Sequence, residues 1–267
     1  MGMKTKLFIL IFLIITGLAV SQQLFLATTT SLYNSGLLDL LKPAFEREYN
    51  WSLNILAVGT GKALKYGMDG NVDVLLVHSP QDEIDFMQKD HGVLRVSFAY
   101  NDFVVLGPEE VKIDKSFDSV KDFFRYIYEN KLPFVSRGDD SGTHKLEKRI
   151  WQSLGLEPEG KWYISTGQGM GASLMIANEK RAFILSDRGT YLSYKGGIDL
   201  GVVFEGDPAL LNIYSVIVVN PAKSSSINYE GALDFVRFLL DPDTLKTMEN
   251  FKVNGVSLFK PLINIKK

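Results

Sequence analysis

Four times in this chain an apolar run ends in a cluster of Gly, Ser and Thr and gives way to a stretch with helical periodicity. These junctions are Thr28–Ser31, Gly59–Gly61, Ser136–Thr143 and Gly167–Ala172. An apolar run, a turn cluster and then a 3.6-residue period read as strand, loop and helix. Repetition of that unit predicts an α/β protein with helices layered on a sheet. It also predicts where a ligand sits. In open α/β sheets, ligands collect at the carboxyl ends of strands. The first N–H groups of each incoming helix lack internal partners and carry the positive end of its dipole. Hydroxyls and glycines at several such ends make an anion site.

The densest junction lies within Phe134 to Trp151, FVSRGDDSGTHKLEKRIW. Phe134-Val135 reads as a short buried strand and Arg137 to Gly142 as a turn cluster. A helix follows from Thr143, with Leu146, Ile150 and Leu154 spaced by four and Ser141 or Asp140 as N-cap. Arg137 is the most informative single residue, because a planar guanidinium with fixed donors suits an oxyanion. Its alternative is a salt bridge to Asp139 or Asp140. Thr30, Ser31, Thr60, Ser141 and Thr143 offer hydroxyls at the same ends, each with the alternative role of cap or turn former.

Elsewhere the chain keeps the alternation. Leu24–Ala27, Leu53–Val58 and Val72–Val77 read as strands, each followed by a helix. The first helix carries Leu37, Leu38, Leu41, Ala44 and Phe45 on one face, with Pro43 predicted to kink or break it. Helices are also expected at Gln81–Lys89, Phe117–Tyr128, after Gly171 with Leu174, Met175 and Ala177 packed, at Asn228–Leu240 and at Thr244–Phe251. Two β-rich stretches, Leu94–Leu106 and Leu211–Val219, are longer than one sheet needs. They predict two α/β lobes joined by a β hinge: residues 22–100 plus 215–267 in one, and 101–214 in the other.

Composition narrows the function. The chain has 267 residues, 46% of them hydrophobic, with a formal net charge of −2. That gives enough material for a packed core and no basic excess for nucleic acid. An anion would be held by local donors rather than drawn in by overall charge. Cysteine is absent, so no thiol nucleophile, thiolate metal site or disulfide is available. His78, His91 and His144 have no ligand spacing and are read as structural or surface groups. Lys4 and Lys6 precede a fourteen-residue apolar run, residues 7–20, with small residues at Ala19 and Ser21. This fits an export signal, and as a helix it would reach roughly 21 Å against a hydrocarbon core of ~30 Å. Residues 1–21 are therefore expected to be a signal peptide, or else an uncleaved anchor.

Several enzymatic motifs are excluded by their spacing. Gly59-Thr60-Gly61-Lys62-Ala63 is not a phosphate loop, since Leu56 stands where the first Gly belongs and Ala63 where a magnesium-binding hydroxyl belongs. Gly167-x-Gly169-x-Gly171 is not a dinucleotide fingerprint, and Asp139-Asp140-Ser141-Gly142 is not a nucleophile elbow. A porphobilinogen-deaminase-like transferase would need a cofactor-attachment Cys. A regulator's sensing domain would need a helix-turn-helix where the leader stands.

The chain resembles the substrate-binding proteins of tungstate ABC importers. Carrying the likeness are Ala27-Thr28-Thr29-Thr30-Ser31 with Ser35-Gly36-Leu37-Leu38, Val58 to Leu64, Asp73 to His78, Asn101 to Val104, Ser136 to Thr143 and Ser186 to Tyr191. The resemblance implies a type II periplasmic-binding fold, no enzymatic activity, no cofactor and a monomer. It further implies that the protein closes on tungstate, or molybdate as its near twin, and hands it to a membrane permease. By it Thr29, Thr30, Ser31, Arg137, Ser141 and Thr143 fall on the family's oxyanion-binding motifs, and the repeated junctions add Thr60 and Gly171. A leader without Cys departs from lipid-anchored members.

Overall fold

The computed structural model describes residues 22–108 and 116–262. The leader expected at residues 1–21 lies outside them. The first α/β layer opens with β1 (Gln22–Thr29), α1 (Thr30–Asn34) and α2 (Leu37–Tyr49). It continues through β2 (Trp51–Val58), α3 (Thr60–Met68), β3 (Val74–Val77) and α4 (Pro80–Gln88). β1 lies between β2 and β3 and is parallel to both. β3 is buried throughout, as its continuous Val and Leu composition requires of a strand covered on both faces.

The long strand β4 (Gly92–Pro108) then runs for 17 residues. Beyond it come α5 (Val120–Glu129), β5 (Phe134–Ser136), α6 (Gly142–Ser153) and β6 (Tyr163–Ser165). Next are α7 (Met170–Lys180), β7 (Phe183–Asp187), α8 (Arg188–Tyr194) and β8 (Leu200–Phe204). The second long strand, β9 (Leu211–Val219), leads to α9 (Tyr229–Leu240) and α10 (Pro242–Asn250). Three two-residue strands, β10 (Lys252–Val253), β11 (Val256–Ser257) and β12 (Lys260–Pro261), close the described chain.

The strand order is β2-β1-β3-β9-β4-β7-β5-β6, with β8 and β12 also on β4. β4 joins the two halves. It pairs antiparallel with β9 between Gly92 and Asp102, then with β7 from Phe103 to Leu106. The fold is the expected α/β architecture, two-lobed with β strands as the hinge; in the large sheet antiparallel pairing involves the crossing strands β4 and β9, and β10 and β11 form a separate antiparallel pair.

Three buried clusters hold it. One runs from Leu24, Leu38 and Phe45 through Val216 and Phe235 to Val135, Leu174 and Ile184. A second, rich in aromatics, gathers Phe123, Phe124, Phe134, Trp151 and Phe183, with Trp151 and Phe124 at a centroid distance of 4.6 Å. The third packs Leu64, Leu75, Phe86 and Ile217 on the opposite face of the first layer.

Some elements differ from expectation. α2 continues through Pro43 instead of breaking. Pro43 sits on the exposed face, where water can serve the carbonyl that Pro leaves unpaired. Leu37, Leu38, Leu41 and Phe45 anchor the helix on both sides of it. α5 starts at Val120, capped by Ser119, and Phe117 instead packs edge-on against Phe123. Met175, expected on the packed face of α7, is 48% exposed, because Leu174 beside it takes the inward position about 100° around the helix.

Candidate functional site

The first half of the site is built where β1 meets α1. Thr29 is the N-cap, its Oγ1 accepting from the Leu32 N–H at 3.3 Å. Thr28 turns its hydroxyl to the Leu76 carbonyl at 2.9 Å, tying β1 to β3. His78 follows β3 directly. Its Nε2 lies 3.1 Å from Thr29 Oγ1 and 3.2 Å from Ser31 Oγ, and its Nδ1 lies 2.8 Å from Asn212 Oδ1. Burial pushes the imidazole below its ordinary pKa, and the Arg137 charge pushes the same way. The bond to Asn212 and the charge of Asp187 oppose them without prevailing.

The second half lies where β5 meets α6. The Arg137 carbonyl accepts from Thr166 Oγ1 at 3.1 Å, which pins the backbone at the end of β5. Gly138 has φ +62, and a Cβ there would lie 2.0 Å from Ser165 Oγ, so the tight turn that presents Arg137 requires glycine. Of the two possible caps, Ser141 takes the place: its Oγ accepts from His144 N–H at 3.4 Å. Asp139 pairs with Arg137 Nη2, the alternative weighed for this arginine. Burial raises the Asp139 carboxyl, but Ser141 and the Arg137 guanidinium outweigh it and hold the group below the ordinary range. Arg137 Nε, buried, has no hydrogen-bond partner among the described residues.

Between these halves lies a cavity of about 480 Å³. Thr30, Ser31, Arg137 and Gly171 line it, joined by Thr190 and Tyr194. Met170, Gly171 and Ala172 are the first residues of α7, capped by Gly169, so that helix opens on the cavity with its unpaired N–H end. Thr29, Thr60, Ser141 and Thr143 stand outside the lining. Thr29 is one position behind Thr30, bonded to Ser31 Oγ at 3.3 Å. Thr60 and Thr143 are buried, and Ser141 is engaged as a cap. The Gly142 turn between Ser141 and Thr143 is close to His78 and Thr60: a Cβ on Gly142 would lie 3.3 Å from His78 Cε1 and 4.0 Å from Thr60 Oγ1. The two loops therefore meet over His78, and Lys145 of α6 reaches Asp82 of α4 at 2.9 Å.

The lining residues are hydroxyls, glycines, one amide, two apolar side chains and one guanidinium, with no carboxylate among them. No cluster of three metal-ligating side chains occurs among the described residues. Such a hollow offers donors and one fixed positive charge, and nothing in its lining that must take a proton from a ligand.

Residues 17–243 match the model of the family described as the PBP superfamily domain. The tungstate-binding protein TupA of Campylobacter jejuni is 45% identical over 231 residues, 85% of this chain and 86% of that protein.

The chain belongs to this family of binding proteins.

A second relative, tungstate-binding protein TupA of Peptoclostridium acidaminophilum, is 42% identical over 244 residues, 90% of this chain and 85% of that protein. The solved structure of TupA from Desulfovibrio alaskensis superposes with a TM-score of 0.81 at 42% identity, covering 90% of this chain and 98% of that one. All three relatives are tungstate-binding proteins. Within this member of the family, several residues that face or support the cavity were not singled out from sequence. Tyr194 and Ser193 end a short helix whose first turn alone carried a recognisable string. His78 gives no spacing signal, because it is a lone histidine in its stretch of the sequence.

Proposed function

We propose that this protein captures tungstate outside the cytoplasm and delivers it to the permease of an ABC importer. One observation carries the reading: a hollow lined by hydroxyls, the open end of α7 and Arg137, without a carboxylate. A fully deprotonated tetrahedral dianion needs donors on every side and no acceptor. Phosphate at neutral pH keeps a proton that wants one. The TupA proteins from Campylobacter jejuni and Peptoclostridium acidaminophilum support tungstate as the occupant. Molybdate, of the same charge and nearly the same size, is the alternative that this donor set serves equally, ahead of phosphate and sulfate.

In this reading Thr29, Thr30, Ser31 and Thr60 serve from residues 22–100 with 215–267, and Arg137, Ser141, Thr143 and Gly171 from residues 101–214. The two segments close about β4 and β9, as hinge proteins do, and closure excludes water from the anion. Residues 1–21 would direct export. Among the described residues no helix is long and apolar enough to cross a membrane. The binding unit is a monomer without cofactor.

Native mass spectrometry of the purified protein against tungstate, molybdate, sulfate and phosphate tests the reading. One tungstate per chain is expected, held in competition with excess sulfate and phosphate. A mass increment with phosphate alone overturns the ligand while leaving the fold untouched.

A further inference from the structure

His78 belongs to a closed polar network that the binding function does not by itself require. Asn212 Nδ2 donates to Asn101 Oδ1 at 2.8 Å and to the Tyr214 hydroxyl at 2.9 Å, and Asn101 Nδ2 donates to the same hydroxyl at 3.1 Å. All three residues are buried. Asn101 and Asn212 face each other in register where β4 and β9 pair. The Tyr214 ring lies 5.0 Å from the His78 ring. With both Nδ2 protons of Asn212 committed, its Oδ1 is fixed toward His78 Nδ1, and an amide oxygen only accepts. His78 Nδ1 therefore carries the proton of the neutral imidazole. Nε2 is left as a lone pair facing the Thr29 and Ser31 hydroxyls. Thr29 Oγ1 already accepts from Leu32 N–H, so its own proton is free for Nε2.

We propose that His78, held in one tautomer by Asn212 on the crossing strands, is a positioning residue that sets the direction of the Thr29 and Ser31 hydroxyl protons at the oxyanion site. His78 Nε2 takes the Thr29 proton, and the Ser31 proton turns between Nε2 and an anion oxygen. The same ring meets the Gly142 loop, where a Cβ would lie 3.3 Å from its Cε1, so the hydroxyls, the crossing strands and the second loop share one fixed ring. This rests on the oxyanion reading of the cavity.

Long-range ¹H–¹⁵N spectra of histidine-labelled protein read the tautomer directly. The chain holds three histidines, and His91→Gln and His144→Gln variants assign them. A protonated Nδ1 and a pyridine-type Nε2 are expected for His78, with the Nε2 signal moving when tungstate is added. In calorimetry, His78→Phe should weaken tungstate binding about tenfold and Asn212→Leu about threefold, the scale of one or two displaced hydrogen bonds. His78→Gln, whose amide oxygen can accept in place of Nε2, should recover part of the loss. A protonated Nε2, or unchanged affinity in both His78→Phe and Asn212→Leu, overturns the inference. Wild-type protein that binds no oxyanion at all overturns the ligand reading instead.

Discussion

The Tyr194 hydroxyl stands over Gly171 so closely that a Cβ on that glycine would lie 2.2 Å from it. Gly171 is the second residue of α7 and Tyr194 the last of α8, so the contact fixes how the open end of α7 meets the cavity. Gly171→Ala must displace the half-exposed tyrosine ring or shift the first turn of α7. Tungstate affinity is expected to fall about tenfold, the equivalent of about one lost hydrogen bond to a charged group. Adding Tyr194→Ala should restore part of it, since that change removes the clash together with one hydroxyl of the lining. Titration calorimetry of the single and double variants measures the coupling. Equal losses in Gly171→Ala with and without Tyr194→Ala would mean that backbone strain, not this contact, is responsible.

Arg137 contributes the one guanidinium to the lining, with its Nε buried and without a hydrogen-bond partner among the described residues. Charge-assisted hydrogen bonds contribute about 1.5–3 kcal/mol. Arg137→Ala should therefore weaken tungstate binding roughly tenfold to a hundredfold. Arg137→Lys keeps the charge but not the planar fork, and should recover only part of the loss. Calorimetry checks both, and unchanged affinity in Arg137→Ala removes the residue from the site.

Why the fold was legible and the site only partly so follows from the kinds of signal involved. Strand-to-helix junctions announce themselves by local composition, and the length of β4 and β9 alone implied two lobes. Asn228 is readable as a helix start because a short polar side chain caps by a local bond. Pro43 misled because its effect depends on whether the exposed face can be served by water, which local sequence does not encode. Thr30, Ser31, Arg137 and Gly171 were readable because they sit at the junctions themselves. Tyr194 and His78 were not, because their proximity to the cavity arises from the packing of α8 on α7 and the register of β9 beside β3. Asn101 and Asn212 are 111 residues apart, and no local pattern pairs them.

Lys145 on α6 and Asp82 on α4 are paired at 2.9 Å, both partly exposed. Burial works against the Asp82 carboxylate, but the Lys145 and Ser79 bonds outweigh it and hold the group below its ordinary range. The pair bridges the two segments proposed to close on the anion. A partly exposed ion pair contributes about 0–1 kcal/mol, so Lys145→Ala should change the fold little. It should speed tungstate release by up to about fivefold, leaving the association rate nearly constant, because the pair forms only once the segments have met. Stopped-flow release at low and high salt separates the outcomes. A wild-type release rate that is insensitive to salt and equal to that of Lys145→Ala would assign the pair to the surface alone.

Glu147 of α6 is 2% exposed, accepting from the Tyr163 hydroxyl at 2.6 Å and from Trp151 Nε1 at 3.2 Å. Burial dominates those bonds and raises its pKa from 4.5 to about 7. A carboxyl whose folded pKa exceeds its unfolded value binds protons more tightly in the native state. Its stabilising effect is complete below the unfolded pKa, near 4.5, and is lost as pH rises through about 7. The loss accumulates between about 4.5 and 7, reaches ~3 kcal/mol for a shift of this size, and stays constant at higher pH. Glu147→Gln removes the ionisation while keeping an oxygen for the tyrosine. The variant should melt near the wild-type temperature at pH 5 and several degrees above it at pH 8. Thermal unfolding across that range checks the sign, and a wild-type advantage at pH 8 would show that the ionised carboxylate is the form the fold prefers.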